Sequence, residues 1–142
     1  MAVGRACRQH VRAGRGPRRQ IRHDMTVLIV DDNPQVRALI RTLLSELADD
    51  IRECADGDEA VAAYRQQRAD WVLMDAKMVR MGGLEATRRI VASDRTARVL
   101  IVTDYDDAHW RAAANEAGAC GYVLKDNLLE VRRLLRRADQ GD

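Results

Sequence analysis

The apolar positions along this chain change period at regular intervals. Thr26 to Asp31 (TVLIVD) is a short apolar run rich in β-branched residues that ends in carboxylates, the pattern of a buried strand. Asn33 and Pro34 follow, giving an N-cap and a proline at the first helical position. Val36, Ile40, Leu43, Leu44 and Leu47 then recur at helical spacing and predict an amphipathic helix. Ile51 to Ala55 is a weaker strand, closed by the turn pair Asp56-Gly57, and Asp58 to Gln67 reads as a second helix. Trp71 to Asp75 (WVLMD) is a buried strand that again ends in a carboxylate. Gly82-Gly83 breaks the chain before a helix over Leu84 to Ala92. Arg98 to Thr103 (RVLIVT) is the fourth strand, and Asp106 to Ala117 a helix that Gly118 terminates. Cys120 to Leu124 is the fifth strand. Asn127 to Ala138 is the last helix, with Leu128, Val131, Leu135 and Ala138 on one face.

Five strands alternating with five helices predict an α/β fold with a parallel sheet covered on both faces. The strands lack polar alternation, as burial on both sides requires. The length of 142 residues suits one domain. A chain 46% hydrophobic and 32% charged is not wholly disordered. No apolar run approaches the roughly 18–20 residues of a membrane span.

Charge divides the chain. Residues 1–24 hold seven Arg and one acid (Asp24), a net of +6, so the remaining 118 residues carry −4 of the total +2. The basic segment has no sustained apolar face and is expected to be a disordered tail. It lacks the apolar region of a secretory or twin-arginine signal. Met25 directly precedes the first strand, so the tail also fits an upstream choice of start site; a basic arm for nucleic acid is the lesser reading. The domain is expected to span 25–138, with 139–142 a short C-terminal tail. Cys7, Cys54 and Cys120 form no CxxC or zinc spacing. Reduced thiols and a cytoplasmic location are expected, with no membrane contact.

Ligands of open parallel sheets bind beyond the carboxyl ends of the strands. The residues there are Asp31 and Asp32 after the first strand, Asp75 after the third, Thr103 on the fourth and Lys125 after the fifth. Taken singly, each has a structural reading: Asp32 as a helix cap, Thr103 as a satisfied polar group, Lys125 as a surface charge. Together they place three carboxylates, a hydroxyl and an ammonium on one rim. The carboxylates repel one another, and a hard cation with oxygen ligands, Mg²⁺, resolves the conflict. Lys125 and Lys77 are the only lysines beside 22 arginines. Such a set suits an incoming phosphoryl group: metal and Lys125 neutralise its oxygens, Thr103 hydrogen-bonds one, and a carboxylate attacks phosphorus.

At this point the residues match a family. VLIVDDNPQVR (27–37), DWVLMDAKM (70–78), GGLEATRRI (82–90), VLIVTDYDD (99–107) and GACGYVLKD (118–126) resemble, in order and spacing, the receiver domain of two-component response regulators. The resemblance implies a doubly wound, flavodoxin-like sheet of order 2-1-3-4-5. It implies Asp75 as phosphoacceptor and Asp31, Asp32, Asp75 and the backbone carbonyl of Lys77 as Mg²⁺ ligands. It further implies Thr103 as switch hydroxyl, Lys125 as phosphate partner and Tyr122 as switch aromatic, which the residues alone would read as a packed strand aromatic. Three positions depart from the family pattern: Val79 where proline is usual, Gly82 where aspartate is common, and Asp104 where a small residue is common.

The expected function is therefore a phosphorelay signalling module. It takes a phosphoryl group from a histidine kinase or phosphotransfer protein and assists its own phosphorylation and dephosphorylation without acting as an enzyme on external substrates. With no room after the last helix for an output domain, a downstream protein target is expected, and no nucleic-acid partner. Arg132, Arg133, Arg136 and Arg137 suit either a contact face or a solvated helix. A homodimer of the phosphorylated form stays open. The alternative readings are a phosphorylation-independent interaction module, favoured by Asp104 and Val79, and a metal-dependent phosphohydrolase. The hydrolase is disfavoured because no second acid stands two residues after Asp75.

Overall fold

The computed structural model describes residues 25–140; the expected tail over 1–24 lies outside the described residues, as do 141–142. Five strands form one sheet: β1 Thr26–Val30, β2 Asp50–Cys54, β3 Trp71–Met74, β4 Val99–Thr103 and β5 Gly121–Leu124. All neighbours pair in parallel, in the order β2-β1-β3-β4-β5. Five α-helices connect and follow them: α1 Pro34–Leu44, α2 Gly57–Gln66, α3 Gly83–Ser93, α4 Ala108–Ala117 and α5 Leu129–Asp139. The doubly wound fold and its strand order agree with expectation.

Alternation along the strands builds two cores. Val27, Ile29, Trp71 and Leu73 pack with Ile40 and Leu44 of α1 and with Val131 and Leu135 of α5. Leu28, Val30, Val72 and Met74 point the other way, against Ala60 and Tyr64 of α2, Ala86 and Ile90 of α3 and Ala114 of α4. Both faces of the sheet are thus removed from water, which explains why its strands read as continuous apolar runs.

Local chemistry sets the boundaries. Asn33 caps α1 by accepting from the Gln35 amide at 2.9 Å, with Pro34 opening the helix as expected. Asp56 is an N-cap rather than a turn residue: its Oδ1 accepts from the Glu59 amide at 3.0 Å, while Glu59 Oε1 accepts from the Ala55 amide at 2.7 Å. Gly82 caps α3 without any side-chain hydrogen bond, the consequence of lacking an acid there. Gly118 ends α4 with φ 103°, a left-handed conformation that favours glycine. The last helix begins later than its periodicity suggests. Lys125–Asn127 forms a 3₁₀ turn, and α5 starts at Leu129.

Candidate functional site

The strands deliver the site by ending. Asp31 and Asp32 follow β1, and Asp75 follows the adjacent β3. Asp31 is 2% and Asp75 5% exposed, whereas Asp32 faces solvent. Each of the three offers a carboxylate oxygen within 4.8 Å of the others, an arrangement able to hold a metal ion. The Asn33 amide donates to Asp31 Oδ1 at 2.8 Å and fixes one of its oxygens. Lys125, at the start of the 3₁₀ turn after β5, places Nζ 2.8 Å from Asp31 Oδ2 and 3.5 Å from Asp75 Oδ2.

Electrostatics follow from this crowding. Burial and then the Asp31 charge push Asp75 up to about 6, against the opposing pull of Lys125 and of the Lys77 backbone amide. Burial works against the Lys125 charge, but its hydrogen bond to Asp31 and the charges of Asp75, Asp31 and Asp104 hold it above its ordinary value. The ammonium is therefore protonated across the physiological range, and the rim still holds more negative charge than one lysine offsets.

Thr103 ends β4 with no exposure. Its Oγ1 accepts a long hydrogen bond from the Tyr105 amide at 3.4 Å. Tyr122, on β5, donates its hydroxyl to the Tyr105 carbonyl at 2.5 Å, and the Arg111 guanidinium lies 4.6 Å from its ring centroid. Thr103 and Tyr122 thus meet through Tyr105. The Tyr105 ring stacks on Trp110 at 5.1 Å, and Lys77 Nζ lies 5.6 Å from its centroid. Asp104 is exposed, and Val79 is 89% exposed in the loop before α3. Sequence reasoning brought Asp31, Asp32, Asp75 and Lys125 together as the structure does. It did not foresee Tyr105, whose contacts to Thr103 and Tyr122 are made by its backbone and so leave no mark of residue type, nor Arg37, which bonds the Asp31 carbonyl.

Residues 27–138 match the response regulator receiver domain, and the chain belongs to that family. It is 38% identical over 103 residues to the response regulator UvrY of Escherichia coli (strain K12), covering 71% of this chain and 47% of that protein. It is 34% identical over 119 residues to the uncharacterized transcriptional regulatory protein YxjL of Bacillus subtilis, covering 82% and 55%. The chain therefore spans about half the length of the curated relatives it matches. Among solved structures, it resembles a LuxR-family two-component response regulator from Aurantimonas sp. SI85-9A1, with TM-score 0.76 and 35% identity over 84% of this chain and 87% of that one. Among the described residues no helix is long and apolar enough to cross a membrane.

Proposed function

We propose that this chain is a phosphorylation-dependent receiver module in which Asp75 accepts a phosphoryl group from a phosphohistidine of a histidine kinase or phosphotransfer protein. The observation that supports this best is Asp75 itself, buried after β3 beside the Asp31 carboxylate, with the Lys125 ammonium in reach of both. An Asp75 oxygen bonds to phosphorus as the phosphorus–nitrogen bond breaks, and the electron pair stays on the imidazole. The phosphoryl oxygens then replace the free Asp75 carboxylate as the partner of Lys125 and give the Thr103 hydroxyl a new acceptor.

The donor set fits Mg²⁺, since three hard carboxylate oxygens converge and Asp32 is open to water. The Lys77 carbonyl, two residues after Asp75, is the proposed fourth protein ligand. When bound, the ion supplies the positive charge that lets two anions approach. Asp31 and Asp32 hold it, Asp75 reacts, and Lys125 balances the product's charge.

Tyr105 joins Thr103 to Tyr122, so movement of the Thr103 hydroxyl toward phosphate disturbs the carbonyl that Tyr122 holds. That makes the β4–α4 loop and β5 the reporting surface. The module is proposed to be cytoplasmic and to act on no external substrate. Output through protein contact alone was the expectation. One relative is named a transcriptional regulatory protein, so a nucleic-acid-directed output belongs equally to the proposal, and the expectation of no such partner is set aside.

Incubation with Mg²⁺ and acetyl phosphate, read by intact mass on wild type and Asp75→Asn, tests the reading. One phosphate adduct on wild type, absent from the variant, is expected. No adduct, together with no response to beryllofluoride, would favour a phosphorylation-independent module. Turnover of free phosphate esters would point to a hydrolase.

A further inference from the structure

Arg37 stands outside the carboxylate cluster yet is bonded to it. Asp31 is the first residue past β1, and its amide makes a last ladder-like bond to the Cys54 carbonyl at 3.1 Å. Its own carbonyl accepts from Arg37 Nη1 at 2.7 Å. The same guanidinium gives Nε to Glu53 Oε1 on β2 at 2.9 Å. Arg41, one turn further along α1, gives Nε to Glu53 Oε2 at 2.7 Å and Nη2 to the Ile51 carbonyl at 3.0 Å. The Arg37 and Glu53 side chains are 18% and 30% exposed, so the bond between them is partly screened from water, whereas Arg41 is 46% exposed.

We propose that Arg37 is a positioning residue for the divalent-cation site, aiming the Asp31 and Asp32 carboxylates through the peptide that joins them. This inference rests on the proposed metal role of those acids. A peptide unit is planar, so holding the Asp31 carbonyl also fixes the Asp32 amide. One clamp thus orients two ligands. Its reference point is firm: Glu53 sits in a strand paired residue for residue with β1, and both its oxygens are engaged by arginine. Burial opposes the Glu53 charge, but the hydrogen bonds from Arg41 and Arg37 outweigh it and hold the carboxyl below its usual range. Groups that orient metal ligands from outside the ligand set commonly control affinity by about ten- to a hundredfold.

Geometry and charge predict opposite signs here. Arg37 is a cation beside an acidic site, so by charge alone its removal tightens cation binding. If Arg37 positions the ligands, its removal loosens binding despite the charge. Titration calorimetry with MgCl₂ alone decides between them, using the full chain as wild type, Arg37→Gln, Arg37→Lys and Glu53→Gln, with thermal midpoints measured alongside. Arg37→Gln is expected to weaken Mg²⁺ binding about tenfold. Arg37→Lys weakens it as well, because an ammonium keeps the charge but cannot span Asp31 and Glu53 as a planar fork does. Glu53→Gln weakens it by both routes and serves as the reference for a loss of charge nearby, while Arg37→Lys, which keeps the charge, carries the test if Arg37→Gln does not fold. Unchanged or tighter binding by Arg37→Gln, or wild-type affinity in Arg37→Lys, would overturn the inference. Failure of the wild type itself to bind Mg²⁺ overturns the metal reading beneath it, a distinct result.

Discussion

Lys125 holds Asp31 more closely than Asp75, at 2.8 Å against 3.5 Å. The ammonium therefore pairs chiefly with Asp31, one of three clustered carboxylates, while staying within reach of Asp75. Lys125→Met removes this internal counter-ion. The variant is expected to lose about 1–3 kcal/mol of stability without divalent cation, because buried carboxylates lose a charged partner. It is also expected to bind Mg²⁺ several-fold more tightly. Chemical denaturation in EDTA and calorimetric titration check the two effects, which oppose each other once Mg²⁺ is added.

The raised Asp75 fixes a sign for pH dependence. A carboxyl at about 6 in the fold and near 3.8 when unfolded binds its proton more tightly in the native state. The contribution of Asp75 to native stability is thus fully present below pH ~4 and is lost as pH rises through 6. Asp75→Asn escapes this loss. In EDTA it is expected to exceed wild type by about 1–2 kcal/mol at pH 7.5, less than the whole shift because water reaches the rim. The gain should vanish near pH 4, as paired urea denaturations at several pH values will show. An equal gain at all pH values would contradict this assignment.

Tyr122→Phe removes only the hydroxyl bonded to the Tyr105 carbonyl. The expected cost is about 1 kcal/mol. The effect should be local: amide hydrogen exchange rises over 104–107 and stays unchanged at the end of β3.

Gly83 opens α3 directly against the Asp75 backbone, where an added Cβ would lie 1.8 Å from the Asp75 carbonyl oxygen. Gly83→Ala must displace either the helix or Asp75 and is expected to cost more than about 3 kcal/mol, or to prevent folding. Gly82→Ala is the control. Its Cβ would find only the Ala76 carbonyl, at 3.6 Å, and its effect should stay within about 1 kcal/mol. Thermal unfolding of the pair separates close approach from helix propensity.

Much of this molecule was legible in its sequence because burial and strand ends leave direct traces. A sheet sealed on both faces gives continuous apolar runs, and TVLIV, WVLM and VLIVT announce β1, β3 and β4. Asp31, Asp32, Asp75 and Lys125 were legible because topology alone brings strand ends to one rim. Two things were hidden. Asp56 was read as a turn because the Asp-Gly pair outweighed the capping-box spacing of Asp56 and Glu59, which the structure shows to be the one that acts. Arg37 and Tyr105 act through backbone groups across elements, on the Asp31 carbonyl in one case and between Thr103 and Tyr122 in the other. Spacing rules report side-chain contacts to backbone groups only within a local motif such as a helix cap, not across elements distant in sequence.

The gradient of burial across the sheet has its own consequence. β3 is sealed at all four positions, whereas β5, at the margin, is only partly covered, and residues 104–107 beside it face water. In the proposed function, a covalent mark on Asp75 would be held by a fully packed support. Thr103 lies equally deep, so the mark would surface only one step later, at Tyr122 and residues 104–107, where the cover is thinner and another molecule can touch it.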